Sequence, residues 1–209
     1  MKLVSYSTPT KEFEKEGLTD LQELIAFCAK VSNPAAQINT ETSERLIRYL
    51  IKHQHWSPLE MVNAVLEIET TRDIAHQIVR HRSFAFQEFS QRYANPAEMG
   101  EQFITREARL QDPKNRQNSI GIDSESDLHY EWQMKQQKVI DVAKETYDWA
   151  IQAGIAKEQA RVVLPEGNTK TRLYMNGTLR SWVHYIELRG ANGTQKEHMD
   201  IAHACAKVI

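Results

Sequence analysis

The stretch MVNAVLEIE, residues 61–69, alternates. Val62, Ala64, Leu66 and Ile68 fall on one side of an extended chain, and Asn63, Glu67 and Glu69 fall on the other. A period of two with one apolar side predicts a strand that buries a single face. The period then lengthens. From Asp73 to Arg82, the residues Ile74, Ala75, Ile78 and Val79 recur at helical spacing, which predicts a helix with that stripe turned inward. Asp73, His76, Gln77 and Arg80 share its polar face, while Arg82 extends the apolar side and would need a partner for its charge.

Working outward, KLVSYS reads as a first strand. Thr19 with Gln22 has the form of a capping box ahead of a helix carrying Leu21, Leu24, Ile25 and Cys28. A second helix is expected from Ser43 to about Lys52, ending before HQHWSP, where Pro58 blocks continuation. A short strand is expected near EQFITREARL. Residues 111–127 hold few large apolar side chains and read as a long mobile loop. Helices are expected over roughly 125–153, 156–164, 169–189 and 194–208, the last behind an Asn192-Gly193 turn with Thr194 and Glu197 as a second capping box. There is no repeat, low-complexity tract or linker, so residues 1–209 read as a single α+β domain.

Composition narrows the function. Lys plus Arg number 26 against 28 Asp plus Glu in 209 residues, which argues against a general nucleic-acid binder. No apolar run is long enough to span a membrane. The opening MKLVSYSTPTKEFEKEG lacks the apolar segment of a signal peptide, so a cytoplasmic location is expected, or the host cytoplasm if the source is viral. Cys28 and Cys205 sit in amphipathic stretches and read as buried free thiols in a reducing compartment, not as nucleophiles.

RHRSFAFQEFSQRY, residues 80–93, concentrates the chemistry. Three arginines, a histidine and a carboxylate stand among three phenylalanines. Read as extended, Phe84, Phe86, Glu88, Ser90 and Arg92 line one face. That row can hydrogen-bond a polar ring and grip a phosphate, for which the guanidinium fork is better shaped than an ammonium. The plainer reading is a salt-bridged surface whose phenylalanines face the core. The convergence of a polar helix face with a polar strand row favours a site.

The segment resembles the signature of the flavin-dependent thymidylate synthase family, Arg-His-Arg followed after seven residues by Ser-x-Arg. Arg80, His81, Arg82, Ser90 and Arg92 fill every fixed position. AKVSNP, HQHWSPLE, ARVVLP, NGTLRSWVHYIELR and GTQKEH extend the resemblance over nearly the whole chain. It implies an α+β fold with a small, mostly antiparallel sheet packed by several helices. The implied assembly is a homotetramer whose active sites are shared between subunits. The implied activity is conversion of dUMP to dTMP, with 5,10-methylenetetrahydrofolate as one-carbon donor, FAD as hydride carrier and NADPH as reductant. The absence of G-x-G-x-x-G counts against a Rossmann flavoprotein.

By position, the resemblance implies FAD contacts at Ser32, His55, Ser57, Glu60, Arg80, His81, Arg82, Gln87, Glu88, Thr178, Arg180 and His184. Thr178 stands where many relatives have asparagine, with Asn176 just upstream. Nucleotide contacts are implied at Gln77, Arg80, Glu88, Ser90, Gln91, Arg92, Arg161 and Arg189. Arg189 is the implied catalytic residue, a cation that favours the ionised uracil ring. Gln91 replaces a small residue, which is harmless where the contact is through the backbone.

Other features carry less. Arg172, Asn176, Arg180 and His184 recur every four residues and would make a polar row if residues 169–189 were one helix. His53 and His55 lack companions for a zinc site, so no metal is expected. His198 and His203 receive no role. A rival reading makes the arginines and phenylalanines a non-catalytic nucleotide or RNA surface, and a closer rival is a flavin reductase with another substrate.

Overall fold

The alternating segment is strand β2 (Asn63–Thr71), and it is paired along both edges. The computed structural model describes residues 1–209 and contains a four-stranded antiparallel sheet. Its order is β1 (Lys2–Tyr6), β2, β6 (Lys170–Thr178), β3 (Ala85–Glu88). β2 and β6 run in unbroken register from Asn63 opposite Thr178 to Thr71 opposite Lys170. A separate hairpin joins β4 (Arg109–Gln111) to β5 (Ser119–Gly121). Eight helices complete the α+β fold: α1 (Lys11–Lys15), α2 (Leu21–Ala29), α3 (Ser43–Lys52), α4 (Arg72–Ile78), α5 (Asp127–Gln152), α6 (Lys157–Ala160), α7 (Leu179–Arg189) and α8 (Lys196–Val208). No helix is long and apolar enough to cross a membrane.

One sheet face is covered. Ala64, Leu66 and Ile68 of β2, with Leu173 and Met175 of β6, are buried against Ile74, Ala75 and Ile78 of α4. Trp182 and Tyr185 of α7, and Ala202 and Cys205 of α8, close the same core. Each large side chain there contributes about 1.5–3 kcal/mol relative to exposure. The Trp182 indole N–H donates to the Ala64 carbonyl at 3.1 Å, so this buried donor is satisfied. The other face is polar. Arg172 Nε donates to its register partner Glu69 at 3.0 Å, and the Tyr174 hydroxyl donates to Glu67 at 3.0 Å.

Several expectations from sequence are corrected. Residues 169–189 are not one helix: β6 buries Thr171, Leu173, Met175 and Gly177 at a period of two, and α7 begins only at Leu179. Pairing with β2 outweighs local helical spacing here. Arg172 and Asn176 therefore belong to the sheet, and Arg180 and His184 to the helix. Helix α4 stops at Ile78, so Arg82 lies beyond it and is exposed, with no buried charge to pair. Segment 111–127 holds half of a hairpin instead of an open loop. Asp112 organises its turn, accepting from Lys114 N at 2.8 Å and Asn118 Nδ2 at 3.0 Å.

The capping boxes also differ. Asp20 caps α2 and pairs reciprocally with Glu23, while Thr19 lies one residue outside. Gln195 precedes α8 without a side-chain cap, and the Thr194 hydroxyl instead donates to the Leu188 carbonyl. The helix expected over 156–164 is four residues of α6 followed by a tight turn at Arg161–Val163.

Gly177 explains how the signature segment docks on β6. A Cβ built there would stand 2.4 Å from Cδ1 of Phe84, whose ring meets Trp182 edge-on at 4.8 Å. Gly177→Ala should destabilise the fold by about 1–3 kcal/mol through overpacking, read as a lowered urea midpoint. An unchanged midpoint would mean that the Phe84 ring is free to move aside.

Candidate active site

Three groups of side chains form around the covered face and its ends. The first lies where the turn Ser57–Glu60 enters β2 and where β6 leaves into α7. Because Asn63 pairs with Thr178, Glu60 and Arg180 stand close together, and they form an ion pair. The Arg180 Nε is buried and has no partner. His184, one turn further on, sets its ring edge-on to Trp56 at 4.5 Å. Ser57 opens the turn that carries Glu60 and is exposed, and His55, also exposed, meets the Tyr49 ring edge-on at 5.9 Å. The Thr178 hydroxyl is the N-cap of α7, accepting from Ser181 N at 3.2 Å. Ser32 stands exposed between α2 and α3 and belongs to none of the three groups.

The second group lies at the start of α4. Glu88 accepts from Thr171 Oγ1 at 2.9 Å and from Arg72 Nη1 at 3.2 Å. Arg72, Gln91 and Arg161 line a cavity of about 420 Å³ with Glu158 and Glu166. Gln91 is buried there and its Nε2 has no partner. β3 ends at Glu88, so the extended row expected from Phe84 to Arg92 is cut short. Residues 91–93 turn instead, with Arg92 N donating to Ser90 Oγ at 3.4 Å and Arg92 reaching Glu158 at 3.4 Å. Gln87 is opposite Tyr174, whereas Glu88 is opposite Leu173, so these two residues project from opposite faces of the sheet.

The third group joins the ends of α4 and α7. Arg189 Nε donates to His81 Nε2 at 2.9 Å, which requires His81 to be neutral with its proton on Nδ1. Burial, with the Arg189 charge beside it, holds His81 below its ordinary value. His81 meets the Tyr185 ring edge-on at 4.9 Å. Behind them is His198, fully buried, 3.0 Å from the Tyr185 hydroxyl and 3.2 Å from Gln77 Oε1. Burial, then the charges of Arg189 and His81, bring it down to about 4.

Two missed residues are thus Arg72 and His198. Arg72 was hidden because it begins a helix whose polar face was read from Asp73 onward. His198 was hidden because its partners lie on other helices. Both Asp73 carboxylate oxygens are taken by Arg106, at 2.7 and 2.8 Å.

Arg72, Arg92, Arg106, Arg109, Arg172 and Arg180 are ion-paired. Arg80, Arg82, Arg161 and Arg189 have no carboxylate partner, nor do Arg45 on α3 and Arg116 in the β4–β5 turn, both exposed away from the three groups; the donors of the first four are available to an anion. Neither thiol competes for a catalytic role. Cys205 is in the core, where burial pushes it up to about 12, and burial raises Cys28 as well.

The chain matches the family described as Thy1, thymidylate synthase complementing protein, over residues 16–209. It is 48% identical over 208 residues to a probable flavin-dependent thymidylate synthase of Paramecium bursaria Chlorella virus 1, covering 100% of this chain and 92% of the viral one. It is 45% identical over 209 residues to the flavin-dependent thymidylate synthase of Synechocystis, covering 100% of this chain and 93% of that one. The fold resembles the crystal structure of the UMP/dUMP methylase PolB of Streptomyces cacaoi bound with 5-Br dUMP. The TM-score is 0.79 at 26% identity, over 99% of this chain and 89% of that one.

The buried histidine sets a pH dependence. An unfolded histidine titrates at about 6.5, whereas burial brings His198 down to about 4 in the fold. Between those values the unfolded chain binds a proton that the folded one refuses. Stability present above pH 6.5 should therefore be lost as pH falls towards about 4, by on the order of 3 kcal/mol from this residue. His81 adds to the loss in the same direction. Urea midpoints measured across that interval should fall steadily, and a flat profile would contradict a neutral, buried His198.

Proposed function

The chain belongs to the flavin-dependent thymidylate synthase family, and from that premise we propose that it reductively methylates dUMP to dTMP. In this reading 5,10-methylenetetrahydrofolate gives the one-carbon unit and NADPH the reducing power. The chemistry that FAD supplies when bound is hydride transfer. Residues 1–209 act as one catalytic domain, a methyltransferase that oxidises NADPH.

The residues present fit both ligands. At the flavin group, the buried Arg180 Nε is a donor without an acceptor, beside Glu60, His55, Ser57 and His184. Arg80, His81 and Arg82 supply further donors for phosphate or ring oxygens, with Ser32, Gln87, Glu88 and Thr178 completing the proposed cofactor set. At the nucleotide group, Gln91 Nε2 is a second orphaned donor, in a cavity edged by Arg72 and Arg161. Gln77, Arg80, Glu88, Ser90, Arg92, Arg161 and Arg189 are the other proposed dUMP contacts.

The observation that carries the reading is Arg189. Its Nε is held by neutral His81, so the guanidinium is aimed while its terminal N–H groups stay free. A fixed cation beside a ring nitrogen favours the ionised uracil, which is the activated form. The arginine forks suit the nucleotide phosphate. No carboxylate or histidine is hydrogen-bonded to Ser90 Oγ, which accepts from Arg92 N, so Ser90 is assigned to binding substrate and not to attacking it. With both thiols raised by burial, activation rests on positioning and ring polarisation.

A homotetramer with shared sites belongs to the same proposal. Leu128, Trp132, Val139, Val142 and Trp149 form a stripe along one side of α5 and are all exposed in the single chain. These exposed apolar side chains, with Lys135 and Thr146 among them, support an interface on this side of α5. Gln87 and Glu88 project from opposite sheet faces, which suits ligands shared between subunits.

Anaerobic incubation with dUMP, methylenetetrahydrofolate and NADPH should give dTMP only when FAD is present, and no product despite bound flavin would overturn the proposal. Arg189→Ala should lower turnover by on the order of 10²–10³-fold with flavin content unchanged, whereas Ser90→Ala should retain measurable turnover. Near-normal activity in the arginine variant would remove its role. Trp132→Glu combined with Trp149→Glu should shift the particle below tetramer mass in light scattering, and an unaltered mass would place the interface elsewhere.

A further inference from the structure

A chain of hydrogen bonds runs through the third group, and its direction follows from one end. Glu197 is ion-paired to Arg109. Burial raises its carboxyl, but the bond from Arg109 and the other hydrogen bonds outweigh this and hold it below the usual value. An ionised carboxylate only accepts. Gln195 must therefore turn its Nε2 to Glu197 Oε2, at 3.0 Å, which leaves its Oε1 to accept from Gln77 Nε2 at 2.8 Å. Gln77 Oε1 is then an acceptor for His198 Nδ1 at 3.2 Å, so His198 carries its proton on Nδ1. Its Nε2 is left to accept from the Tyr185 hydroxyl at 3.0 Å. Every donor points towards Glu197.

We propose that His198 is a positioning residue for nucleotide binding: as the Nδ1–H tautomer, selected by the Arg109–Glu197 pair through Gln195, it locks the Gln77 carboxamide in one orientation. The inference rests on the reading of Gln77 as a dUMP contact. A free glutamine amide has two nearly isosteric orientations that exchange donor for acceptor. Held at both ends, Gln77 keeps one N–H and one Oε1 lone pair in a fixed order for the nucleotide. His198 reaches no ligand itself, since it is fully buried. It acts from behind, where His81 and Tyr185 also back the Arg189 guanidinium.

Selectively 15N-histidine-labelled, FAD-loaded enzyme should show a His198 imidazole in the Nδ1–H form, assigned by its loss in His198→Asn. Glu197→Gln removes the acceptor-only anchor, and it should mix or reverse that tautomer. The paired readout is dUMP affinity at constant flavin content. Asparagine places its amide near the Nδ1 position and glutamine nearer Nε2. His198→Asn should therefore stay within about threefold of wild type, while His198→Leu and His198→Gln lose about tenfold, the effect of one misdirected hydrogen bond. Losses that simply follow the thermal midpoint across the three variants, or an Nε2–H tautomer in the wild type, would overturn the positioning role. Glu197→Gln keeps the test open should His198→Leu not fold. Gln77→Ala separates the two levels: if it binds dUMP as tightly as wild type, both the reading of Gln77 and the inference fail, whereas weakened binding there with normal binding in His198→Leu removes only the inference.

Discussion

The nine-residue pairing of β2 with β6 is the constraint on which the site depends. Both strands continue into helices, α4 from one end of the pair and α7 from the other. Both helices then fold back over the same apolar face, because Ile74, Ala75 and Ile78 and the rings of Trp182 and Tyr185 have no other place to leave water. Their far ends meet, which brings His81 to Arg189. The register does the same at the other end, where it sets Glu60 against Arg180. A shift of one residue would turn each strand's apolar set outward and undo both meetings.

Charge is distributed by the same geometry. Many guanidiniums are spent on carboxylates: Arg172 on Glu69 across the sheet, Arg106 on Asp73 at the head of α4, Arg109 on Glu197 at the head of α8, and Arg72, Arg92 and Arg180 within the three groups. In the signature and on the facing segments, Arg80, Arg82, Arg161 and Arg189 are left without such partners. Glu158 and Glu166 share the cavity with Arg161, whereas Arg189 meets only the neutral His81 ring. Unpaired guanidinium forks are the donors that the proposed phosphate-bearing ligands would need.

How much of this was legible in the residues depended on how local the signal was. β2 was readable because its alternation is uninterrupted, and the Arg-His-Arg signature because its spacing is specific. β6 was misread, since Arg172, Asn176, Arg180 and His184 fall at intervals of four by coincidence across a strand and a helix. Its true period appears only once β2 and β3 are seen to flank it. The short strand expected near EQFITREARL overlaps β4 at Arg109 and Leu110, but β5 and its turn read as part of a long mobile loop because Asp112 and polar neighbours hold them, with no apolar pattern to announce them. Arg82 was assigned to a helix that ends four residues earlier. His198 was passed over because its contacts are with Gln77, 121 residues away, and with Tyr185 on another helix. Spacing along one element cannot report such contacts.

The order of strands along the chain also has a consequence in time. β6 begins at Lys170, and β2 is complete by Thr71. During synthesis at about 5–20 residues per second, β2 waits on the order of ten seconds for the partner that covers its long edge. Throughout that interval Leu66 and Ile68 have α4 available but neither β6 nor α7. The nascent chain therefore passes through a period in which a half-made sheet presents an open edge. It is in this window, before the last forty residues emerge, that chaperone engagement or misassociation with another unfinished chain would compete with folding.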